Sequence, residues 1–330
     1  MRWRVVLGGL VLVAAGVAGG GWWWLNNPMA LAADSVEASI EPGTSAREVA
    51  QTWVQSGVQV SPVLLYEWFR WSGQARKIRA GSYAIERGIT PVGLLQKMVR
   101  GDEVLATVRL IEGWTFRQFR QELAKAETLK PTTAAMSDAQ IMEALGSPGI
   151  SPEGRFYPDT YAYSKGASDV AVLKRALHTM QQRLAQAWAE RTPDTPLKDP
   201  DAMLTLASIV EKETGSAQDR ARVAAVFVNR LRIGMPLQTA PSVIYGLGER
   251  FDGNLRKRDL LADGPFNTYT RAGLPPTPIA MPGQASLQAA VQPPPSRALY
   301  FVARGDGSSV FSDDLAAHNR AVNEFQRKRR

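Results

Sequence analysis

Apolar residues recur along this chain in two periods, and the changes of period mark its elements. From residue 35 to about residue 130 one unit appears three times: Ile40-Glu41-Pro42-Gly43-Thr44-Ser45, Ile85-Glu86-Arg87-Gly88-Ile89-Thr90 and Ile111-Glu112-Gly113-Trp114-Thr115. Alternation before each turn predicts a strand, and the Ser or Thr closing it is placed to cap a helix. The stripes of those helices, Val49, Trp53 and Val54, then Leu94, Leu95 and Met98, then Phe116, Phe119 and Leu123, are ordinary core. A polar stretch over 132–149 follows, with a short helix near 139–145. Beyond it the pattern predicts a helix over 169–191, a Pro-rich break over 193–200, and a helix from Pro200 that Gly215 ends. Ser216 with Asp219 caps the next helix, whose buried stripe is Val223, Val226, Phe227 and Leu231. Residues 297–303 and 309–311, around Gly305-Asp306-Gly307, form a hairpin, and a closing helix covers 313–326. The fold class is α+β with a mainly helical second half.

At 330 residues and 45% hydrophobic composition the chain can bury a sizeable core, and its length suits two domains better than one. Met1-Arg2-Trp3-Arg4 precedes an uncharged run over 5–25, about the length of a membrane helix. Both arginines lie before it, so the positive-inside rule keeps the N-terminus in the cytoplasm and sends the body outward, with Trp22, Trp23 and Trp24 as an interfacial belt. The rival, a signal peptide cleaved after Ala30-Leu31-Ala32, is disfavoured by the length of the span and the distance of Ala32 from its apolar part. There is no cysteine, which removes thiol nucleophiles, thiolate metal sites, disulfides and a lipoprotein anchor together. The net charge of +8 suggests nucleic acid, but Arg327, Lys328, Arg329 and Arg330 with Arg2 and Arg4 carry most of it, leaving +2 for the body and no basic face with interleaved aromatics. His178 and His318 are the two histidines and neither lies in a ligand-spaced cluster, so no metal or other cofactor is expected.

The candidate chemistry lies in the helix after Pro200. Leu204, Ala207, Ser208 and Glu211 share one side at helical spacing, so the Glu211 carboxyl is expected to lean on carbon surface, a setting that raises a carboxyl pKa. A carboxyl protonated near neutral pH serves as a general acid and later as a base. The alternative is that Glu211, Lys212 and Glu213 form a solvated helix end. Downstream, Gln238-Thr239, Pro241-Ser242-Val243-Ile244-Tyr245-Gly246, Phe266-Asn267-Thr268-Tyr269-Thr270 and Gly273-Leu274-Pro275-Pro276-Thr277-Pro278-Ile279 are blocks of neutral polar and aromatic residues in Pro/Gly-rich loops. Such side chains suit sugar hydroxyls and ring faces, whereas phosphate asks for clustered Arg and Lys.

With Glu153-Gly154-Arg155-Phe156-Tyr157-Pro158-Asp159-Thr160-Tyr161 and the late His318-Asn319-Arg320-Ala321-Val322, these blocks resemble the endolytic murein transglycosylases of the MltG (YceG-like) family. The resemblance implies a lyase that cleaves the MurNAc-GlcNAc bond of nascent peptidoglycan strands, leaves 1,6-anhydro-MurNAc ends and ends strand elongation. It implies Glu211 as the catalytic acid, glycan strands as substrate, peptidoglycan synthases as partners, and an inner-membrane protein with a periplasmic body. Gln238, Ser242, Tyr245, Asn267 and Tyr269 are the candidates for holding the sugar, although the tyrosines could simply pack and Asn267 cap a turn. Family members commonly have Asp where this chain has Ala240, which leaves no carboxylate role there. The first module resembles a LysM-like subdomain, a fold associated with glycan binding. The expected organisation is a cytoplasmic N-terminus (1–4), a transmembrane helix (5–25), a linker (26–34), the LysM-like module with connecting elements (35–130), a second linker (131–152) and a catalytic domain (153–330). Two other classes stay open: a hydrolase pairing Ser208 with Lys212 one turn apart, and a non-catalytic glycan-binding or assembly protein in which Glu211 is structural.

Overall fold

The computed structural model describes residues 2–327, with the side chains of all but 2–8, 10–12 and 327. The chain forms two compact units, residues 1–107 with 162–167 and residues 108–161 with 168–330. The first contains α1 (Arg2–Asn26), β1 (Ser35–Ile40), α2 (Ala46–Ser56), α3 (Pro62–Trp71), β2 (Gly81–Glu86) and α4 (Pro91–Arg100). β1 and β2 are antiparallel, with Ser35 opposite Glu86 and Ile40 opposite Gly81. Val36, Ala38 and Ile40 alternate inward onto a core of Trp53, Leu65, Phe69, Tyr83, Leu94, Leu95 and Met98. Ser45 and Glu48 close a capping box at the start of α2, and Thr90 caps α4, as their positions in the turns predict. The pattern did not predict α3. Only Leu65 and Phe69 of it are buried, while Val63, Leu64 and Trp71 are exposed, so apolar residues on its outer side hide the helical stripe.

The N-terminal run corrects an expectation. α1 is a continuous helix of 25 residues, but among the described residues no helix is long and apolar enough to cross a membrane. The expected transmembrane helix over 5–25, the single-pass inner-membrane topology and the membrane anchoring are therefore not supported. The described half of α1 holds Gly16, Gly19, Gly20 and Gly21, which add no apolar side chain. Much of the Val and Leu content, at residues 5–7 and 10–12, has side chains outside the described residues, as does the basic tail at 327–330.

β3 (Leu105–Arg109) and β4 (Thr160–Ser164) form another two-stranded sheet. The second unit is mainly helical: α5 (Phe116–Lys125), α6 (Asp138–Ala144), α7 (Asp169–Ala189), α8 (Pro200–Glu213), α9 (Ala217–Arg232), α10 (Ala240–Leu247), α11 (Lys257–Leu261), α12 (Gln284–Val291) and α13 (Leu315–Val322), with the hairpin β5 (Tyr300–Ala303) and β6 (Ser309–Ser312). Asp199 caps α8, its carboxylate accepting from the Ala202 N–H at 2.7 Å, and Pro200 fills the first turn, where no N–H is needed. From Met203 to Val210 every residue of α8 is buried, against α7, α9, α10 and α12. Two of these neighbours were not expected as helices. The block holding Ser242 and Tyr245 is α10, not a loop, because Pro241 lies in its first turn and Val243 packs inward. α12 was missed because a helix apolar on most sides shows no stripe.

Trp53 is fully buried and its indole N–H meets the Met98 sulfur at 3.2 Å. Trp53→Ala should destabilise the first unit by about 3–5 kcal/mol. Trp71→Ala, at a side chain 78% exposed, should stay within about 0.5 kcal/mol. Urea unfolding of the two variants measures the difference.

Candidate active site

The last turn of α8 carries two carboxyls, Glu211 and Glu213. Leu204, Ala207 and Ser208 line the approach to Glu211 and are fully buried. The Glu211 side chain is 8% exposed. Its oxygens do not face carbon alone: the Gly283 N–H donates to Oε2 at 3.0 Å, and Arg220 Nη2 lies 3.9 Å from Oε1. Gly283 precedes α12 and Arg220 stands in the first turns of α9, so two further helices meet the acid. The segment before α12 is pinned to α8 by Ser208, whose hydroxyl accepts from the Ile279 N–H at 3.0 Å and donates to the Thr205 carbonyl at 2.7 Å. Ser208 is thus a buried brace, and Lys212 Nζ instead donates to the Gly113 carbonyl at 3.1 Å. No Ser208–Lys212 nucleophile pair exists.

A second carboxylate arrives from the third Ile-Glu turn. The Gly113 N–H donates to the Met281 carbonyl and the Met281 N–H to the Trp114 carbonyl, both at 2.8 Å, which locks residues 113–114 beside the segment leading to Gly283. Gly113 takes φ +77, a left-handed value that suits glycine, and a Cβ there would meet Glu211 Cγ at 3.9 Å. Glu112 consequently lies over Gly283, where a Cβ would stand 1.9 Å from Glu112 Oε1. Partial burial raises the Glu112 pKa, the nearby Glu211 charge adds to the rise, and Arg220 opposes it.

The YceG-like family model matches residues 38–324. The chain belongs to the YceG-like family. It is 28% identical over 308 residues to an endolytic murein transglycosylase of Bacillus subtilis (strain 168), covering 88% of this chain and 85% of that protein. To an endolytic murein transglycosylase of Streptococcus pneumoniae serotype 2 it is 25% identical over 351 residues, covering 96% of this chain but 63% of the longer relative. The crystal structure of a putative yceG-like protein from Listeria monocytogenes superposes with a TM-score of 0.55 at 27% identity, covering 87% of this chain and 98% of that one.

In this YceG-like chain the sequence-derived sugar candidates hydrogen-bond mainly to one another's segments and to Glu153. Thr239 and Thr268 tie two loops together, the Thr239 N–H reaching Thr268 Oγ1 at 3.0 Å. Ser242 is fully buried, bonded to the Thr239 carbonyl and Thr268 Oγ1. Asn267 is buried as a loop brace: its amide donates to the carbonyls of Asp259, Leu260 and Ala262, and its oxygen accepts from the Tyr269 N–H. Gln238 keeps an exposed side chain at φ +51, unusual outside glycine. Half-buried Tyr269 has its phenol pKa raised by burial and by the Glu213 charge. Glu213 belongs to this group, since it accepts from the Thr239 hydroxyl at 2.7 Å, and burial raises its pKa.

Tyr245 points elsewhere, to Glu153. Its hydroxyl donates to Glu153 Oε2 at 3.1 Å, while the Phe116 N–H opening α5 donates to Oε1 at 3.0 Å. Both border a cavity of about 830 Å³ that reaches Lys212 but not Glu211. None of Glu112, Arg220 and Glu153 was a candidate site residue from sequence: Glu112 entered as a turn residue within a repeat and Glu153 as the first residue of a motif block.

Burial pushes the Glu153 carboxyl up to about 7, against the two donors that favour its charge. A carboxyl whose folded pKa lies above its unfolded value stabilises the fold below the unfolded pKa, near pH 4.5, and loses that contribution as pH rises through about 7. Glu153→Gln keeps a group able to accept from the Phe116 N–H and removes the ionisation. Compared with wild type, it should flatten the decline of unfolding free energy between pH 5 and 8, by up to about 3 kcal/mol, as read by urea titrations across that range.

Proposed function

We propose that this YceG-like protein is an endolytic peptidoglycan lytic transglycosylase, cleaving the MurNAc-GlcNAc bond within glycan strands and leaving 1,6-anhydro-MurNAc ends. The observation that carries the reading is Glu211, a carboxyl presented by the end of an otherwise buried helix, with an amide N–H at 3.0 Å and a guanidinium at 3.9 Å. The murein transglycosylases among its relatives support the substrate class.

The nucleophile is the substrate's own C6 hydroxyl. It attacks C1 of the same muramoyl residue, the bond from C1 to the GlcNAc O4 breaks, and Glu211 gives O4 its proton. The carboxylate then takes the proton of the C6 hydroxyl, so one group serves both halves. Tethering of the nucleophile removes the need for an activated water and is worth roughly 7–11 kcal/mol of barrier in well-placed cases. Gln238, with its exposed amide, and Tyr269 are the sequence-derived candidates best able to reach an acetamido group, since the Ser242 hydroxyl in α10 and the Asn267 amide already have partners within the protein. The first unit, with Trp71 78% exposed, is the candidate for holding polymer. Action on nascent strands would end their elongation, with peptidoglycan synthases as partners.

Glu211→Gln should keep the fold and glycan binding and lose anhydro-muropeptide production by at least about 10²–10⁴-fold. Glu213→Gln keeps an acceptor for the Thr239 hydroxyl and should retain most activity. Mass spectrometry of digested peptidoglycan decides: anhydro ends indicate transglycosylation, water-added ends hydrolysis and unchanged polymer a binding protein. A fully active Glu211→Gln enzyme would place the acid elsewhere.

A further inference from the structure

Two carboxylates converge on one glycine at the site, and the single-acid scheme uses only one of them. Gly283 gives its N–H to Glu211 Oε2 at 3.0 Å, and its missing Cβ leaves the space that Glu112 Oε1 occupies, 1.9 Å from where that carbon would be. The arrangement is built. Two backbone hydrogen bonds between Met281 and residues 113–114 hold the Glu112 turn in register with Gly283, and Lys212 Nζ ties the Gly113 carbonyl to the end of α8. The two acids differ in setting, since the Glu211 side chain is 8% exposed whereas Glu112 is open to solvent.

We propose that Glu112 and Glu211 hold one proton between them and act as a single proton-transfer unit, with Glu112 the positioning partner that keeps a proton available to Glu211. Two carboxylates that meet the same glycine disfavour double ionisation, and such a pair titrates in two steps that belong to the pair. The charged and titratable groups facing it are Lys212 on α8, Arg220 on α9 and Tyr157 ahead of β4. Arg220 faces the pair with its Nε bonded to nothing within the described residues, and it offsets part of the negative charge without removing the repulsion. In the reaction the unit gives its proton to O4 as the C1–O4 bond breaks and recovers one from the C6 hydroxyl as the O6–C1 bond forms. The unit therefore ends as it began, and no co-reactant is consumed. The proposal rests on the transglycosylase reading and adds the group that sets its pH dependence.

The test measures anhydro-muropeptide release from purified peptidoglycan between pH 5 and 8, using the full chain. Glu112→Gln removes the carboxyl that holds the shared proton beside Glu211: the optimum should move acidward, with a loss of at least about tenfold at pH 7 that shrinks at pH 5. Gly283→Ala is the second variant. With φ −84 its backbone accepts alanine, the N–H to Glu211 remains, and the new methyl displaces the Glu112 carboxyl, so the same acidward shift is expected. A wild-type rate and profile in folded Glu112→Gln, or an equal loss at every pH, would overturn the proposal. Should Glu112→Gln fail to fold, the profile of Gly283→Ala decides by the same criteria. An active Glu211→Gln enzyme would instead refute the transglycosylase assignment of Glu211, an outcome separate from either.

Discussion

A helix buried on every side can carry a charged side chain only near its ends, and α8 obeys that constraint. Residues 203–210 are enclosed by α7, α9, α10 and α12, so hydrogen bonding along the helix is complete and any carboxyl within it would be left without water or a partner. In the last turn this changes. Glu211 meets the N–H ahead of α12 and the guanidinium of α9, while Glu213, facing the other way, meets the Thr239 hydroxyl. The packing of four helices thus determines where the acid stands and what can reach it. Ser208 contributes from inside the core by holding the segment that leads to Gly283.

Much of this was legible in the chain. Asp199, Pro200 and Ser216 gave the borders of α8 and α9 because caps and proline act through local geometry. The hairpin at β5 and β6 followed from its glycines, and the candidacy of Glu211 from its spacing to Leu204, Ala207 and Ser208. What was hidden has physical reasons. α12 is apolar on most sides, so it has no stripe to detect, and α3 carries apolar residues on its exposed side as well. The apolar run over 5–25 looked long enough to span a membrane, yet among the described residues no helix is long and apolar enough to do so. Spacing along α8 indicated a carbon-lined setting for Glu211, but the polar contacts that complete it come from residues 9 and 72 positions away in sequence. Glu112 was invisible for the same reason, because only the Met281 register brings its turn to Gly283. The polar loops that suggested sugar binding spend much of their hydrogen bonding on each other, which is how Pro-rich segments are held without regular structure.

Two carboxyl environments therefore coexist in the second unit. One, around Glu211 and Glu112, is assembled from three helices and a glycine with no room for a side chain. The other, around Glu153, buries a carboxyl with a pKa of about 7 beneath a cavity of about 830 Å³. Tyr245 serves the second and not the first. The account assigns bond cleavage to the first and leaves Glu153 to fix the start of α5.

A crystal structure of the Glu211→Gln protein with a muramoyl glycan spanning the cut is the most direct test of that assignment. The account predicts the scissile glycosidic oxygen within hydrogen-bond reach of residue 211, about 2.6–3.2 Å, with Arg220 beside it. A scissile bond lying in the cavity against Glu153, out of reach of residue 211, would contradict it.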